Sequence, residues 1–93
     1  MKLYYTSKAK EDLELAFTWY ERQRYGLGLE FLDCVDACLA TIMQMPVLFP
    51  ISHSYFRRAL IRRFPFAIFY TIEEDEIVIH AVFDNRQDPV KLP

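Results

Sequence analysis

Glycine is nearly missing from this chain: Gly26 and Gly28 are the only two in 93 residues. A glycine-rich loop that cradles phosphate cannot be built from them, which excludes the common nucleotide-binding motifs. Cysteine is equally sparse. Cys34 and Cys38 are the only thiols, and their i, i+4 spacing on one helix face places the backbones too far along the axis for a comfortable disulfide. His53 and His80 lie on distant segments, so no metal-ligand spacing exists and the thiols read as core residues. No cofactor is implied. No apolar run approaches the ~18 residues of a membrane span. Met1-Lys2-Leu3-Tyr4-Tyr5 also lacks the apolar stretch of a secretion signal. The chain reads as soluble and cytoplasmic, with no membrane partner.

The most telling absence is acid in the middle of the sequence. Between Asp36 and Glu73 there is no carboxylate, yet Arg57, Arg58, Arg62 and Arg63 all fall in that interval. The net charge is only −2, so this is not a generally basic nucleic-acid binder. Its signs are segregated instead. Residues 11–36 carry seven acids against Arg22 and Arg24, and Glu73-Glu74-Asp75-Glu76 forms an acidic tip. Separated charge of this kind steers a molecule toward a partner by its field.

What is abundant is apolar surface: 53% of residues are hydrophobic and 16% aromatic. A chain this short forms one domain, residues 1–93, and should be poorer in such residues because small domains have more surface to cover. The excess implies an apolar face left for a protein partner. Leu3–Tyr5 is a β-rich opening, and Thr6 or Ser7 offers an N-cap. Ala9, Leu13, Ala16, Phe17 and Tyr20 then form one stripe of a helix over about residues 7–24. Trp19 lies beside that stripe, at the edge of the core or in an interface. The two glycines bracket Leu27 as an αα-hairpin connection. A second helix runs from about residue 28 to Met45, and Pro46 stops it.

Residues 46–55 read as a loop. Strands are predicted over about 56–63, 66–73 and 76–83, with the acidic run as the last hairpin turn. The tail from Asn85 to Pro89 is expected to turn away from the sheet. The fold class is therefore α+β, β-α-α-β-β-β, with the helical hairpin packed on one face of a mostly antiparallel sheet. Alternation gives Phe66, Ile68, Tyr70 and Ile72 to one face of the middle strand, and Ala67, Phe69 and Thr71 to the other. Both are apolar, and no element remains to cover the second.

Within the first predicted strand, Arg58 and Arg62 share a face with Leu60, while Arg57 and Arg63 share the other with Ala59 and Ile61. Guanidinium groups bind phosphate or carboxylate bidentately. Arg86, just past the last strand, can join them. The alternative role is protection of an edge strand by charge. His80 is expected opposite Ile79 and Ala81, as a satisfied core or interface residue. His53, Tyr25, Tyr55 and Tyr70 are further proton carriers that nothing singles out.

Taken in order, Trp19-Tyr20-Glu21, Gly26-Leu27-Gly28, Glu30-Phe31-Leu32, Pro46, Arg57 to Arg63-Phe64-Pro65-Phe66, Tyr70, Ala81-Val82, Arg86 and Asp88-Pro89 closely resemble the RelE/ParE toxin superfamily. The match covers nearly the whole chain and is best with the ParE-type, plasmid-stabilisation branch. This resemblance implies the toxin of a type II toxin–antitoxin pair, neutralised by a cognate antitoxin whose C-terminal segment wraps the sheet and helix grooves. It implies action by binding and inhibiting DNA gyrase. The antitoxin- or target-binding residues would be Arg57, Arg58, Arg62, Arg63, Phe69 and Arg86. The alternative is a RelE-like ribosome-dependent mRNA endoribonuclease, in which Arg58, Arg62 and Arg86 would be catalytic. A third is an inactive homologue held in an antitoxin complex. Against the nuclease, Ala67 occupies the position where those enzymes carry a second-strand arginine, and the tail Val90-Lys91-Leu92-Pro93 lacks their tyrosine.

Overall fold

Thr6 decides where the first strand ends and the first helix begins. In the computed structural model, which describes residues 1–92, its extended backbone leaves β1 (Lys2–Tyr5) and caps α1 (Ser7–Gln23). The Thr6 hydroxyl accepts from the Ala9 N–H at 3.1 Å, satisfying one orphan donor of the first turn. The same hydroxyl reaches the His80 carbonyl at 3.3 Å, which ties the cap to the sheet.

Helix α2 (Leu27–Gln44) follows after a turn that both glycines make possible. Gly26 has φ of 88°, a left-handed backbone that only glycine adopts without strain. At Gly28 the reason is space: a Cβ would lie 2.8 Å from the Phe17 ring and 2.8 Å from its carbonyl oxygen. The two helices touch there. Glu21 holds the turn with both carboxylate oxygens, one accepting from Gly26 N–H and the other from Gly28 N–H, each at 2.9 Å.

The sheet order is β1-β5-β4-β3-β2. Its strands after the helices are β2 (Ile51–His53), β3 (Phe56–Leu60), β4 (Phe66–Glu73) and β5 (Glu76–Asp84), followed by one 3-10 turn, Pro89–Lys91. β1 pairs parallel with β5, and the other neighbours pair antiparallel. The α+β expectation therefore holds, with one added edge strand inside the segment expected to be loop. β2 escapes notice in the sequence because it has only three residues, and its register slips between Ile51 and His53.

One sheet face packs on the helices. Phe31 is fully buried and meets Tyr20, Phe64 and Phe66 at ring-centroid distances of 5.2 Å each. Val35, Leu39 and Ile42 continue α2's buried stripe toward Ile68 and Tyr70, and Ala9 and Ala16 bring α1 close to Ile77, Ile79 and Val82. Each of the larger buried side chains among them, such as Phe31, Ile42 and Ile68, contributes roughly 1.5–3 kcal/mol by leaving water. Asp12 adds a polar tie by accepting from the Val82 N–H at 3.0 Å.

Three expectations about the strands need correction. The strand predicted to reach residue 63 stops at Leu60, because Arg63 takes a left-handed φ of 72°. Arg62 and Arg63 thus leave the sheet, and Arg62 does not share a strand face with Arg58. A bulge opposite Phe69 and Tyr70 inserts His80 between their partners Ala81 and Ile79. His80 and Ala81 consequently lie on the same face, because a bulge interrupts the two-residue alternation. The tail does not turn away: the Asn85 N–H donates to the Pro65 carbonyl at 2.7 Å, and Leu92 packs on the sheet face remote from the helices.

Candidate functional site

The face of the sheet remote from the helices is built by Phe56, Ala67, Phe69, Ala81 and Phe83. It is less bare than the alternation suggests, since Phe69 is only 3% exposed. Leu92 covers part of it, and its aromatic rings cover one another, with Phe69 and Phe83 at 6.2 Å. Polar side chains close the rest. Arg58 donates to the Asn85 side-chain oxygen at 3.2 Å. At the other end, Thr71 donates to a Glu73 carboxylate oxygen at 2.6 Å, so its oxygen is left to accept from His80 Nε2–H at 2.8 Å. The His80 ring sits edge-on to Phe56 at 4.9 Å. Thr71 is buried and its proton is committed to Glu73, so this trio lacks the orientation of an activated nucleophile. It fastens the β4–β5 end.

The arginines are dispersed by folding. Arg57 points to the helix side and donates to the Phe49 and Val47 carbonyls at 2.6 and 3.3 Å, pinning the loop before β2. Beside it the Tyr70 hydroxyl donates to the Pro46 carbonyl at 2.6 Å, so that phenol is occupied in structure. Burial raises the pKa of Tyr70 further. Arg63 meets Glu30 at 2.9 Å, and Arg24 meets the other oxygen of the same carboxylate at 3.0 Å. The long acid-free stretch therefore finds its acid across the fold. Hydrogen bonds from Arg63 and Arg24 hold the Glu30 carboxyl below its usual range. Arg86 chelates Asp84 in two-pronged fashion, at 2.9 and 2.7 Å, and keeps the Asp84 carboxyl below its ordinary value. Of the arginines expected to bind a partner, Arg62 is the one with no ion-pair or hydrogen-bond partner among the described residues.

A feature missed by sequence reasoning lies where α1 meets the end of β5. There a cleft of about 470 Å³ is lined by Leu15, Trp19, Phe83 and Asp84, with Lys8, Arg86 and Lys91 along it. Leu15 is 63% and Trp19 52% exposed, four residues apart on one helix face. Trp19's position off the buried stripe was the one signal in the sequence. The structure assigns it to surface, not core. Of the expected binding residues, only Arg86 lines this cleft. Arg58 and Phe69 belong to the remote sheet face, while Arg62 and Arg63 sit beside α2. Among the described residues no helix is long and apolar enough to cross a membrane.

A helical hairpin on a five-stranded α+β sheet is a fold shared with a solved structure of a toxin–antitoxin system. A solved structure titled "Chromosomal ParDE TA system from P. aeruginosa" is similar at TM-score 0.81 and 20% identity, covering 90% of this chain and 95% of that one. The family described as "ParE toxin of type II toxin-antitoxin system, parDE" matches residues 3–89. The chain belongs to this ParE toxin family, and its partner is an antitoxin protein. A search of curated protein sequences finds no significant match.

Proposed function

We propose that this toxin acts by binding and inhibiting DNA gyrase, without a catalytic step of its own. The observation that carries the reading is the scattering of the guanidinium groups. A metal-free ribonuclease needs one group to activate the 2′-hydroxyl and others to stabilise charge on the same phosphate. Here Arg58 lies on the remote sheet face, Arg62 lies beside α2, and Arg86 is chelated by Asp84. Ala67, at the position where a nuclease of the superfamily would carry arginine, is fully buried among apolar side chains. His80 is tied into the Thr71–Glu73 network. Gyrase as target implies a cytoplasmic site of action.

In the resting state the antitoxin occupies the cleft beside Trp19. The apolar walls and the lysine and arginine side chains fit an amphipathic segment that carries acids on its polar side. Arg86 is then shared between Asp84 and the incoming acid. A disordered segment folding there would bury Leu15 and Trp19, the excess apolar surface noted in the composition.

The deciding experiment is induction of the toxin without its antitoxin, with purified gyrase assayed in parallel. Inhibited supercoiling and DNA double-strand breaks with intact messenger RNA are expected. Cleavage of ribosome-bound transcripts with supercoiling untouched would instead establish the endoribonuclease reading. Unimpaired growth would identify an inactive homologue.

A further inference from the structure

The two cysteines pack against the core, as their helical spacing suggests, but neither is sealed in it. Both are half-buried and line a second cleft, of about 510 Å³, between α2 and the end of β3. Its walls are largely apolar, from Ala37, Phe49 and Leu60, and its charged groups are Asp33, Arg62 and Arg63. The thiols differ. Cys38 directs its S–H to the Leu60 carbonyl at 3.7 Å, and burial pushes its pKa up to about 11. Cys34 lines the same cleft as the Arg63 guanidinium. Arg24 and Arg63 share the single carboxylate of Glu30, so that trio keeps one net positive charge. Arg62, exposed at the same cleft, adds another, and Asp33 offsets one of the two.

We propose that this cleft is a thiol-modification site, in which Cys34 exchanges with a low-molecular-weight disulfide that carries carboxylates. Arg62 and Arg63 receive the carboxylates, and Asp33 receives an ammonium group of the same ligand. Guanidinium groups lining the same cleft draw an anionic reagent in and favour the negative charge that passes between sulfurs during exchange. The Cys34 thiolate attacks one sulfur of the disulfide. A new S–S bond forms to Cys34, the old S–S bond breaks, and the second half leaves as a thiolate that takes up a proton. The incoming disulfide is itself the oxidant, because its departing half is released as a reduced thiol. Cys38 cannot readily resolve the adduct into an internal disulfide, because its sulfur sits one turn along the same helix. The adduct therefore persists until an external thiol removes it. This inference is independent of the toxin's target.

Reduced full-length protein is exposed near neutral pH to glutathione disulfide or, separately, to the cationic disulfide cystamine, and adducts are located by peptide mass mapping. Modification of Cys34 is expected, faster with glutathione disulfide by about threefold or more at low salt and less at high salt, because exposed charges are screened. In Arg62→Ala, a surface change that leaves the core untouched, that preference should shrink toward none. Wild-type mapping alone identifies the modified sulfur, so the test does not depend on a variant that folds. An adduct on Cys38, equal rates with the two disulfides, an Arg62→Ala preference equal to wild type, or no adduct on the folded protein would each overturn the proposal.

Discussion

The two faces of the sheet are made from the same alternating strands, yet they are stabilised differently. On the helix side, large rings interlock between Tyr20 of α1, Phe31 of α2, Phe66 at the start of β4 and Phe64 just before it. The remote face has a smaller cluster, two of whose five buried members are alanines, and it is roofed by Leu92 and by polar side chains. Covering a sheet face with a helix produces a jigsaw core that tolerates little change. A roof of tail and polar groups excludes water with fewer close contacts, and it can be rearranged. The contrast explains why a sheet can be apolar on both sides without exposing either.

The largest expected effect would break the comparison if it failed. Phe31→Ala, on the helix side, should cost about 3–5 kcal/mol in urea unfolding. Phe69→Ala should cost less than that, because the polar and tail groups above it can settle into the space. Equal losses would show that the remote face is packed as tightly as the core. A smaller effect is expected where the two faces meet, at the cleft beside α1. Trp19→Ala should weaken antitoxin binding by about 2 kcal/mol, the scale of a buried aromatic anchor, with little change in stability. Unchanged affinity by calorimetry would move the antitoxin elsewhere on the toxin.

The smallest effect concerns the charged rim. The carboxyl of Asp84 is held below its ordinary value, first by its hydrogen bond to Arg86. A depressed carboxyl stabilises the fold fully above its unfolded pKa of about 4, and this contribution is lost as pH falls through the lower folded value. Asp84→Asn should therefore flatten part of the loss of melting temperature between about pH 5 and pH 2 while leaving the helix-side core intact. An unchanged acid limb would assign it to other carboxylates, with Glu30 the first to test because Arg63 and Arg24 lower it in the same way.

Most of the scaffold was legible from local pattern. The stripe Ala9–Ala16–Tyr20 and the run Phe31–Val35–Leu39–Ile42 repeat at helical spacing, and the glycine pair marks the hairpin. The candidate site was not. Arg57, Arg58, Arg62 and Arg63 have no acid near them in sequence, whereas Glu30 reaches Arg63 from 33 residues away. Strand alternation in sequence continues through Arg62 and Arg63, but the left-handed backbone at Arg63 has no sequence signal. It also continues through His80, where a bulge shifts it by one residue. The thiols looked internal because helix spacing reveals which residues share a face but not what covers that face.

By itself, then, the sequence determined the order of helices and strands, the place of the glycine turn and the family, because these rest on periodicity and on residues with restricted or privileged backbones. Tertiary structure alone decided which arginines keep their charge for a partner, that the thiols share a cleft with two arginines, and how the second apolar face is closed. Those outcomes depend on distances between segments far apart in the chain. A hydrogen bond or ion pair falls off over a few ångströms, and only the folded chain sets those ångströms.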